Sequence, residues 1–304
     1  MKKTKLSPST NVLGVDVNAI DMEAALTLIA SFLAGPDQHG SNQSSSHDDR
    51  PNKGYICVAG VHGLVTAQHS PQLAEAYANS AMTIPDGMPL VWVGRLQGHP
   101  SMRRVTGPDI MLEMFRSERF AGLTHFFYGG EQGVAGLLRD RLLARFPSAR
   151  IVGTYTPPFR DLSSEEEAEL IETVRALKPD ILWVGISCPR QELFMARYQE
   201  RLDARLMFGV GAAFDFHTGR IRDSAPWVKA AGLQWLHRLM QDPRRLWRRY
   251  LTTNPAFLWK IMLQLTGLRQ YAPAPMASRS VRPAANAISP SRKVFAGQQG
   301  PSGP

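Results

Sequence analysis

The chain is 304 residues long, 43% hydrophobic, and carries a formal net charge of +9. That length suits one large α/β domain with attachments or two smaller domains, and the apolar fraction is too low for a multi-span membrane protein. No run of about 18 uncharged apolar residues is present, so no transmembrane helix is expected. The basic start lacks the apolar core of a signal peptide. Two cysteines, Cys57 and Cys188, fit a reducing compartment, which points to the cytoplasm. The charge is uneven: ten Lys/Arg lie between Gly219 and Arg269, against Asp223 and Asp242. Such a segment suits nucleic acid, anionic lipid or a phosphorylated substrate.

Residues 1–10 read as a flexible start and 11–17 as a first strand. Asp21 is placed to cap a helix whose apolar stripe is Met22, Leu26, Ile29 and Leu33. Residues 35–53 are rich in Ser, His, Asp, Asn and Gln, and predict a flexible surface loop. A second strand, 55–59, ends in Gly60-Val61-His62-Gly63, and two short helices lead on to residue 82.

A short strand over 82–84 stops at Pro85. Pro85, Asp86 and Gly87 carry turn chemistry, and Met88, Leu90, Val91, Val93 and Leu96 follow at the spacing of a buried helix. A carboxylate is thereby placed where a strand ends and a helix begins, the position at which open α/β sheets hold ligands. From geometry alone, Asp86 is equally suited to closing the turn and capping the helix.

Residues 107–115 read as a helix, and 124–128 as a buried strand that ends in Gly129-Gly130 and opens onto a helix over 131–146. Strand, paired glycines and helix suit a phosphate, because backbone N–H groups and the positive helix end face the turn. Glycine at a strand end for steric reasons is an equal reading. Residues 151–155 form the next strand, and Ser163 with Glu166 makes a capping box for a helix to Leu177. Residues 180–186 are a strand, 187–192 lead into another helix, and 206–210 are the last strand, just before Asp215. The alternation from 11 to 215 predicts an α/β fold, a Rossmann-like, mostly parallel sheet with helices on both faces.

Beyond Ser224 the pattern changes. Residues 227–239 read as one amphipathic helix and 243–250 as a second, with Arg244, Arg245, Arg248 and Arg249 among Leu246, Trp247 and Tyr250. Asn254-Pro255 starts a third, bearing Phe257, Leu258, Ile261, Met262 and Leu265. Arginines beside aromatic residues and leucines fit an interfacial element on an anionic membrane; a helical pair packed on the domain with a solvated basic face is the other reading. From Tyr271 to 304 the Pro, Ala, Ser and Gly content predicts a disordered tail. The plan is therefore a start (1–10), a catalytic domain (11–224), a helical appendage (225–270) and a tail (271–304).

Several motifs occur together in order: Pro85-Asp86-Gly87-Met88, Arg104-Val105-Thr106-Gly107-Pro108-Asp109, Pro189-Arg190-Gln191-Glu192, Gly209-Val210-Gly211 with Phe214-Asp215-Phe216, and Ala225-Pro226-Trp227. The stretches 232–239 and 243–251 complete the set. With these motifs the chain resembles the WecG/TagA/CpsF glycosyltransferases, glycosyltransferase family 26, over roughly residues 11–265. The resemblance implies a Rossmann-like domain with a C-terminal appendage that contacts the membrane and helps close the site. It implies an enzyme, peripheral on the cytoplasmic face of the membrane, that moves a sugar with inversion from a UDP-sugar to a polyprenyl-diphosphate-linked saccharide. Products of that kind feed wall teichoic acid, enterobacterial common antigen, capsule or exopolysaccharide.

An inverting transfer needs a base for the acceptor hydroxyl while UDP leaves, and Asp86 falls at the family position proposed for it. An ordinary carboxylate pKa near ~4 keeps such a group ionised at neutral pH. There is no Asp-x-Asp, and the eight histidines lack metal-ligand spacing, so no metal or other cofactor is expected. Backbone N–H groups and arginines are expected to offset the charge on the leaving diphosphate: Arg104 first, then Arg238, Arg245 and Arg248.

Gln191 matches a family glutamine in the site and is assigned to sugar or phosphate binding; a helix start explains the same motif. Asp215 is a candidate for the nucleoside and Tyr155 for bordering uracil, against readings as a cap and an ordinary strand residue. Gly87, Gly129, Gly130 and Gly185 complete the substrate-binding candidates. Where the family commonly carries Thr-x-Asn, this chain has Val58-Ala59-Gly60, and His62 is the candidate replacement; a structural histidine is the other reading. The departure opens glucose or another hexose as donor beside N-acetylmannosamine.

An NAD-dependent oxidoreductase would need Gly-x-Gly-x-x-Gly after the first strand, which Gly14-Val15-Asp16 does not supply. The alternative function is a basic Rossmann-like nucleotide- or nucleic-acid-binding protein without transferase activity, marked by salt-dependent binding. The resemblance implies no nucleic acid partner, and a homo-oligomer stays open.

Overall fold

A computed structural model describes residues 7–35 and 52–275. The loop expected over 35–53 falls almost wholly outside the described residues, as do 1–6 of the start and 276–304 of the tail. The described chain opens with an antiparallel hairpin, β1 (Ser9–Val12) and β2 (Val15–Asn18), in place of the single strand expected over 11–17. Leu13 (φ 52°) and Gly14 (φ 76°) form its two-residue turn. A leucine in the left-handed region is uncommon, and its apolar side chain, fully buried here, masks the turn in the sequence.

Next come α1 (Met22–Ala34), β3 (Gly54–Ala59), α2 (Val61–Ala67), α3 (Pro71–Asn79), β4 (Met82–Pro85), α4 (Met88–Leu96) and α5 (Gly107–Arg116). After one 3-10 turn follow β5 (Thr124–Gly129), α6 (Val134–Arg145), β6 (Arg150–Tyr155), α7 (Ser164–Leu177), β7 (Ile181–Gly185), α8 (Arg190–Tyr198), β8 (Leu206–Gly209) and α9 (Ala213–His217). The helices α10 (Pro226–Ala230), α11 (Gln234–Gln241) and α12 (Pro243–Leu265) complete it. Local signals act as the sequence predicts at two helix starts. Asp21 accepts the Ala24 N–H at 2.9 Å. Ser163 and Glu166 exchange both bonds of a capping box, at 2.8 and 3.2 Å. In α4, Leu90, Val91 and Val93 are buried, but Leu96, expected on the same face, is 74% exposed.

Strands β3 to β8 form one parallel sheet in the order β4-β3-β8-β7-β5-β6. Side chains alternate across it, and each face carries its own core. Tyr55, Cys57, Phe126, Tyr128, Leu182 and Val184 meet α2, α3, α8 and the C-terminal half of α12. Ile56, Val58, Ile84, Phe127, Trp183 and Phe208 meet α1, α5, α6 and α9. The register aligns the carboxyl ends: Ala59 beside Pro85, Cys57 beside Gly209, Gly209 beside Val184, and Gly129 beside Gly185. The turns after all these strands therefore open on one edge, where parallel sheets place ligands.

The C-terminal helices differ from expectation. The single helix expected over 227–239 is two, α10 and α11, broken at Gly232 (φ 70°), where a Cβ would lie 2.7 Å from the Trp92 ring. The helices expected over 243–250 and from 254 are one continuous α12 that runs through Pro255. A mid-helix proline removes a backbone hydrogen bond. Packing on α2 overrides that cost, because Leu246, Thr253, Phe257 and Ile261 are buried along one ridge. Tyr271, at the start of the expected tail, is tied to the hairpin: Asn11 Nδ2 donates to its carbonyl at 2.9 Å. No helix among the described residues is long and apolar enough to cross a membrane.

Candidate active site

Asp86 stands at the carboxyl edge just past β4. Its N–H donates to the Ala59 carbonyl at 2.9 Å, and Val105 N–H donates to the Pro85 carbonyl at 2.8 Å, so the turn is pinned on both sides. The N-cap of α4 is Gly87, which has no side-chain cap bond. Asp86 therefore does not cap this helix. Burial pushes its pKa up to about 6, against the fields of Arg104, Arg238 and Arg249 and with that of Asp109. The ordinary carboxylate value expected from sequence is corrected by this recess.

The cations arrive from three elements. Arg104, on the loop before α5, donates Nη1 to Gln234 Oε1 at the start of α11, and so joins the main sheet domain to the C-terminal helices. Arg238 of α11 is half-buried over the Phe216 ring, 5.2 Å from its centroid, and burial lowers its pKa. Arg249 of α12 is the third. The two arginines that the sequence pattern points to on this helix are Arg245, whose charge acts on Asp215 and Arg238, and Arg248. Arg248 is exposed over Trp247, and Arg245 is exposed and paired with Asp242 at 2.6 Å. The signal for Arg249 lay in the ridge itself: stepping back by four from Ile261 through Phe257 and Thr253 reaches Arg249.

Gln191 and Glu192 begin α8 and are 3% and 0% exposed. Gln191 Oε1 accepts the Gly211 N–H at 2.9 Å, and its Nε2 donates to Glu192 Oε1 at 2.9 Å. Gln191 thus braces the turn after β8, with one amide hydrogen left to offer a ligand. Burial raises the Glu192 pKa, and Glu192 Oε2 lacks a hydrogen-bond partner. His62 on α2 is held neutral: burial, then the Arg249 charge, lower its pKa to about 4, and its Nδ1 is also buried without a partner. Cys57 and Cys188 are likewise pushed up by burial, so neither is an activated thiolate.

The remaining candidates lie along the same edge but are otherwise engaged. Gly129 (φ 133°) passes so close to β7 that a Cβ would sit 2.5 Å from the Gly185 carbonyl oxygen, which also accepts the Gly130 N–H at 3.1 Å. A Cβ on Gly185 would meet the Phe214 ring at 3.0 Å. These glycines have a steric role. Moreover, α6 starts at Val134 behind Gly133 (φ 80°), not at residue 131, so the expected cradle of paired glycines at the helix's first turn does not form. Tyr155 stacks on Tyr128 at 5.7 Å. Asp215 lies within α9, whose N-cap is Ala212, so it does not cap; Arg220 Nε holds its carboxylate at 3.3 Å. No group of three or more His, Cys, Asp or Glu among the described residues is arranged to hold a metal ion.

A doubly covered parallel α/β sheet thus presents, at its carboxyl edge, one recessed carboxylate in the field of arginines from the loop before α5, α11 and α12. Such a set can accept a proton and hold an anion beside it. The chain belongs to the glycosyl transferase WecG/TagA/CpsF family, whose model matches residues 10–271. It is 25% identical over 212 residues, 70% of this chain and 80% of the relative, to an N-acetylglucosaminyldiphosphoundecaprenol N-acetyl-beta-D-mannosaminyltransferase of Bacillus spizizenii (strain ATCC 23059 / NRRL B-14472 / W23). It is 23% identical to the Staphylococcus aureus (strain MW2) protein of the same description over 252 residues, 83% of this chain and 91% of the relative.

Proposed function

We propose that this protein is an inverting hexosyltransferase that moves N-acetylmannosamine, glucose or a related hexose from a UDP-sugar to a polyprenyl-diphosphate-linked saccharide, in cell-surface or exopolysaccharide biosynthesis. The observation that carries this is Asp86: a carboxylate with a pKa of about 6, in the field of Arg104, Arg238 and Arg249, at the ligand edge of the sheet. A base tuned toward neutrality takes the acceptor hydroxyl proton more readily than an ordinary carboxylate, yet remains mostly ionised at pH 7. The hydroxyl oxygen attacks the anomeric carbon from the face opposite the diphosphate, the bond to UDP breaks, and the arginines stabilise the departing charge in place of a metal. The acceptor named for the relatives, an N-acetylglucosaminyldiphosphoundecaprenol, supports the lipid-linked acceptor.

The C-terminal helices support peripheral association with an anionic inner membrane face. Trp227, Met240, Leu251, Leu258 and Trp259 are each at least 60% exposed, and exposed arginines such as Arg244 and Arg248 lie among them. His62 takes the place of the family's polar side chains, and its neutral ring is able to hydrogen-bond the hexose. The test is a panel of UDP-sugars against a short-chain polyprenyl-diphosphate-linked N-acetylglucosamine, with and without EDTA, read by mass spectrometry. One hexose added, insensitive to EDTA, supports the assignment; no product with any UDP-sugar refutes it.

A further inference from the structure

Glu192 is the third residue of α8, a position where glutamate ordinarily meets solvent and favours the positive end of the helix. Here it is fully buried, and no cation pairs with it among the described residues. Its Oε2 is enclosed without a hydrogen-bond partner. A carboxyl held in this way is less favourable than an apolar side chain of the same size, so packing does not account for it.

What Glu192 does is hold its neighbour. Its Oε1 accepts a hydrogen from Gln191 Nε2 at 2.9 Å, while Gln191 Oε1 accepts the Gly211 N–H at 2.9 Å. The last torsion of a glutamine side chain is soft, so one hydrogen bond leaves the amide free to turn, and two at opposite ends fix its plane. Both partners also select the same sense of the amide: the Gly211 N–H requires the oxygen, and Glu192 Oε1 takes the nitrogen. The amide lies against the end of β8, where a Cβ on Gly209 would come within 3.1 Å of Nε2 and 3.2 Å of Cδ. Strand β8 adjoins β3, whose last residue, Ala59, anchors the Asp86 N–H through its carbonyl. One Nε2 hydrogen is left without a protein acceptor among the described residues.

We infer that Glu192 is a positioning residue for substrate binding: with the Gly211 N–H it clamps the Gln191 amide at both ends, and so aims the remaining Nε2 hydrogen at an oxygen of the substrate. This rests on the transferase assignment and on Gln191 as a residue that touches the substrate.

The test is kcat/KM of the full-length protein, with the UDP-sugar that wild type uses and a lipid-diphosphate-linked acceptor, at a temperature where circular dichroism shows each variant folded. Glu192→Met, close in size but without an acceptor, is expected to lose about 10- to 100-fold, the scale of a binding group displaced by about 1 Å. Glu192→Gln keeps a carbonyl oxygen at the same reach and is expected to stay within about threefold of wild type. Glu192→Asp keeps the carboxyl but withdraws it by one methylene, and is expected to fall with Glu192→Met. Adding Glu192→Met to Gln191→Leu is expected to cost nothing further, because both act on one amide.

A folded Glu192→Met with the wild-type kcat/KM, or a loss that multiplies with that of Gln191→Leu, overturns the inference and leaves the transferase assignment standing. If Glu192→Met does not fold, the order of the other two decides, and Glu192→Asp more active than Glu192→Gln overturns it. Gln191→Leu with the wild-type kcat/KM removes Gln191 from substrate binding and the inference with it. Wild-type protein that transfers from no UDP-sugar overturns the transferase assignment itself.

Discussion

Gln191 Oε1 accepts the backbone N–H of Gly211 at 2.9 Å, so a side chain at the start of α8 holds the turn after β8. The contact needs Gly209, since a Cβ there would lie 3.1 Å from Gln191 Nε2. Gln191→Leu keeps comparable bulk but strips the Gly211 N–H and Glu192 of their partner. We expect a loss of roughly 2–4 kcal/mol, the scale of two stranded buried groups, measured by urea denaturation. Turnover is expected to fall as well, because the same turn leads to α9 and Phe216, under Arg238.

The tuned carboxylate sets a pH profile. With a pKa of about 6 in the free protein, Asp86 loses its proton-accepting form as pH falls below that value. The logarithm of kcat/KM for the donor is expected to be level above pH 7 and to fall with unit slope below about 6. A profile still level at pH 5 would place the base elsewhere.

Stability shows two opposite pH windows. The folded protein binds the Asp86 proton more tightly than the unfolded chain, from 3.8 up to about 6, so the ionised form costs stability above pH 6 and the cost fades as pH falls to 4. Asp86→Asn is therefore expected to be more stable than wild type at pH 8, by about 1–3 kcal/mol, and equal to it near pH 4. Burial moves His125 the other way, from 6.5 down to about 4, and its Nδ1 accepts the Trp183 Nε1 proton at 3.1 Å. The unfolded chain binds that proton first, so stability is lost as pH falls from 6.5 toward 4, by about 2 kcal/mol at pH 5. His125→Phe is expected to be weaker at pH 7, with Trp183 unpaired, yet to lose that part of the acid dependence. Chemical denaturation at pH 5, 7 and 8 separates the two groups.

Much of this was legible in the sequence. Apolar runs stopped by glycine, proline or aspartate marked the parallel strands, and the capping residues Asp21, Ser163 and Glu166 marked helix starts by local chemistry alone. The features that escaped depend on distant contacts. The Leu13-Gly14 turn needs a leucine in a left-handed conformation, held because Leu13 is buried and its N–H donates to Gln264 of α12 at 2.8 Å. The course of α12 through Pro255 depends on the core it enters. Once that helix is split in two, its buried ridge is lost, and Arg249 cannot be told from its neighbours.

The glycines after β5 give a contrast within one segment. Gly129→Ala drives a methyl to 2.5 Å from the Gly185 oxygen, in a conformation alanine rarely adopts, and is expected to cost several kcal/mol or abolish folding. Gly136→Ala, inside α6 with nothing within 4 Å of its Cβ, is expected to stabilise by about 0.5–1 kcal/mol. Thermal denaturation of the two variants checks both signs.

The most direct test of Asp86 as the base is single-turnover transfer by Asp86→Asn, with the UDP-sugar that wild type uses and a lipid-diphosphate-linked acceptor. The amide is nearly isosteric and leaves the arginines in place, so UDP binding is expected to hold while the transfer step slows by about 100- to 10,000-fold. Transfer at the wild-type rate would remove Asp86 as the base.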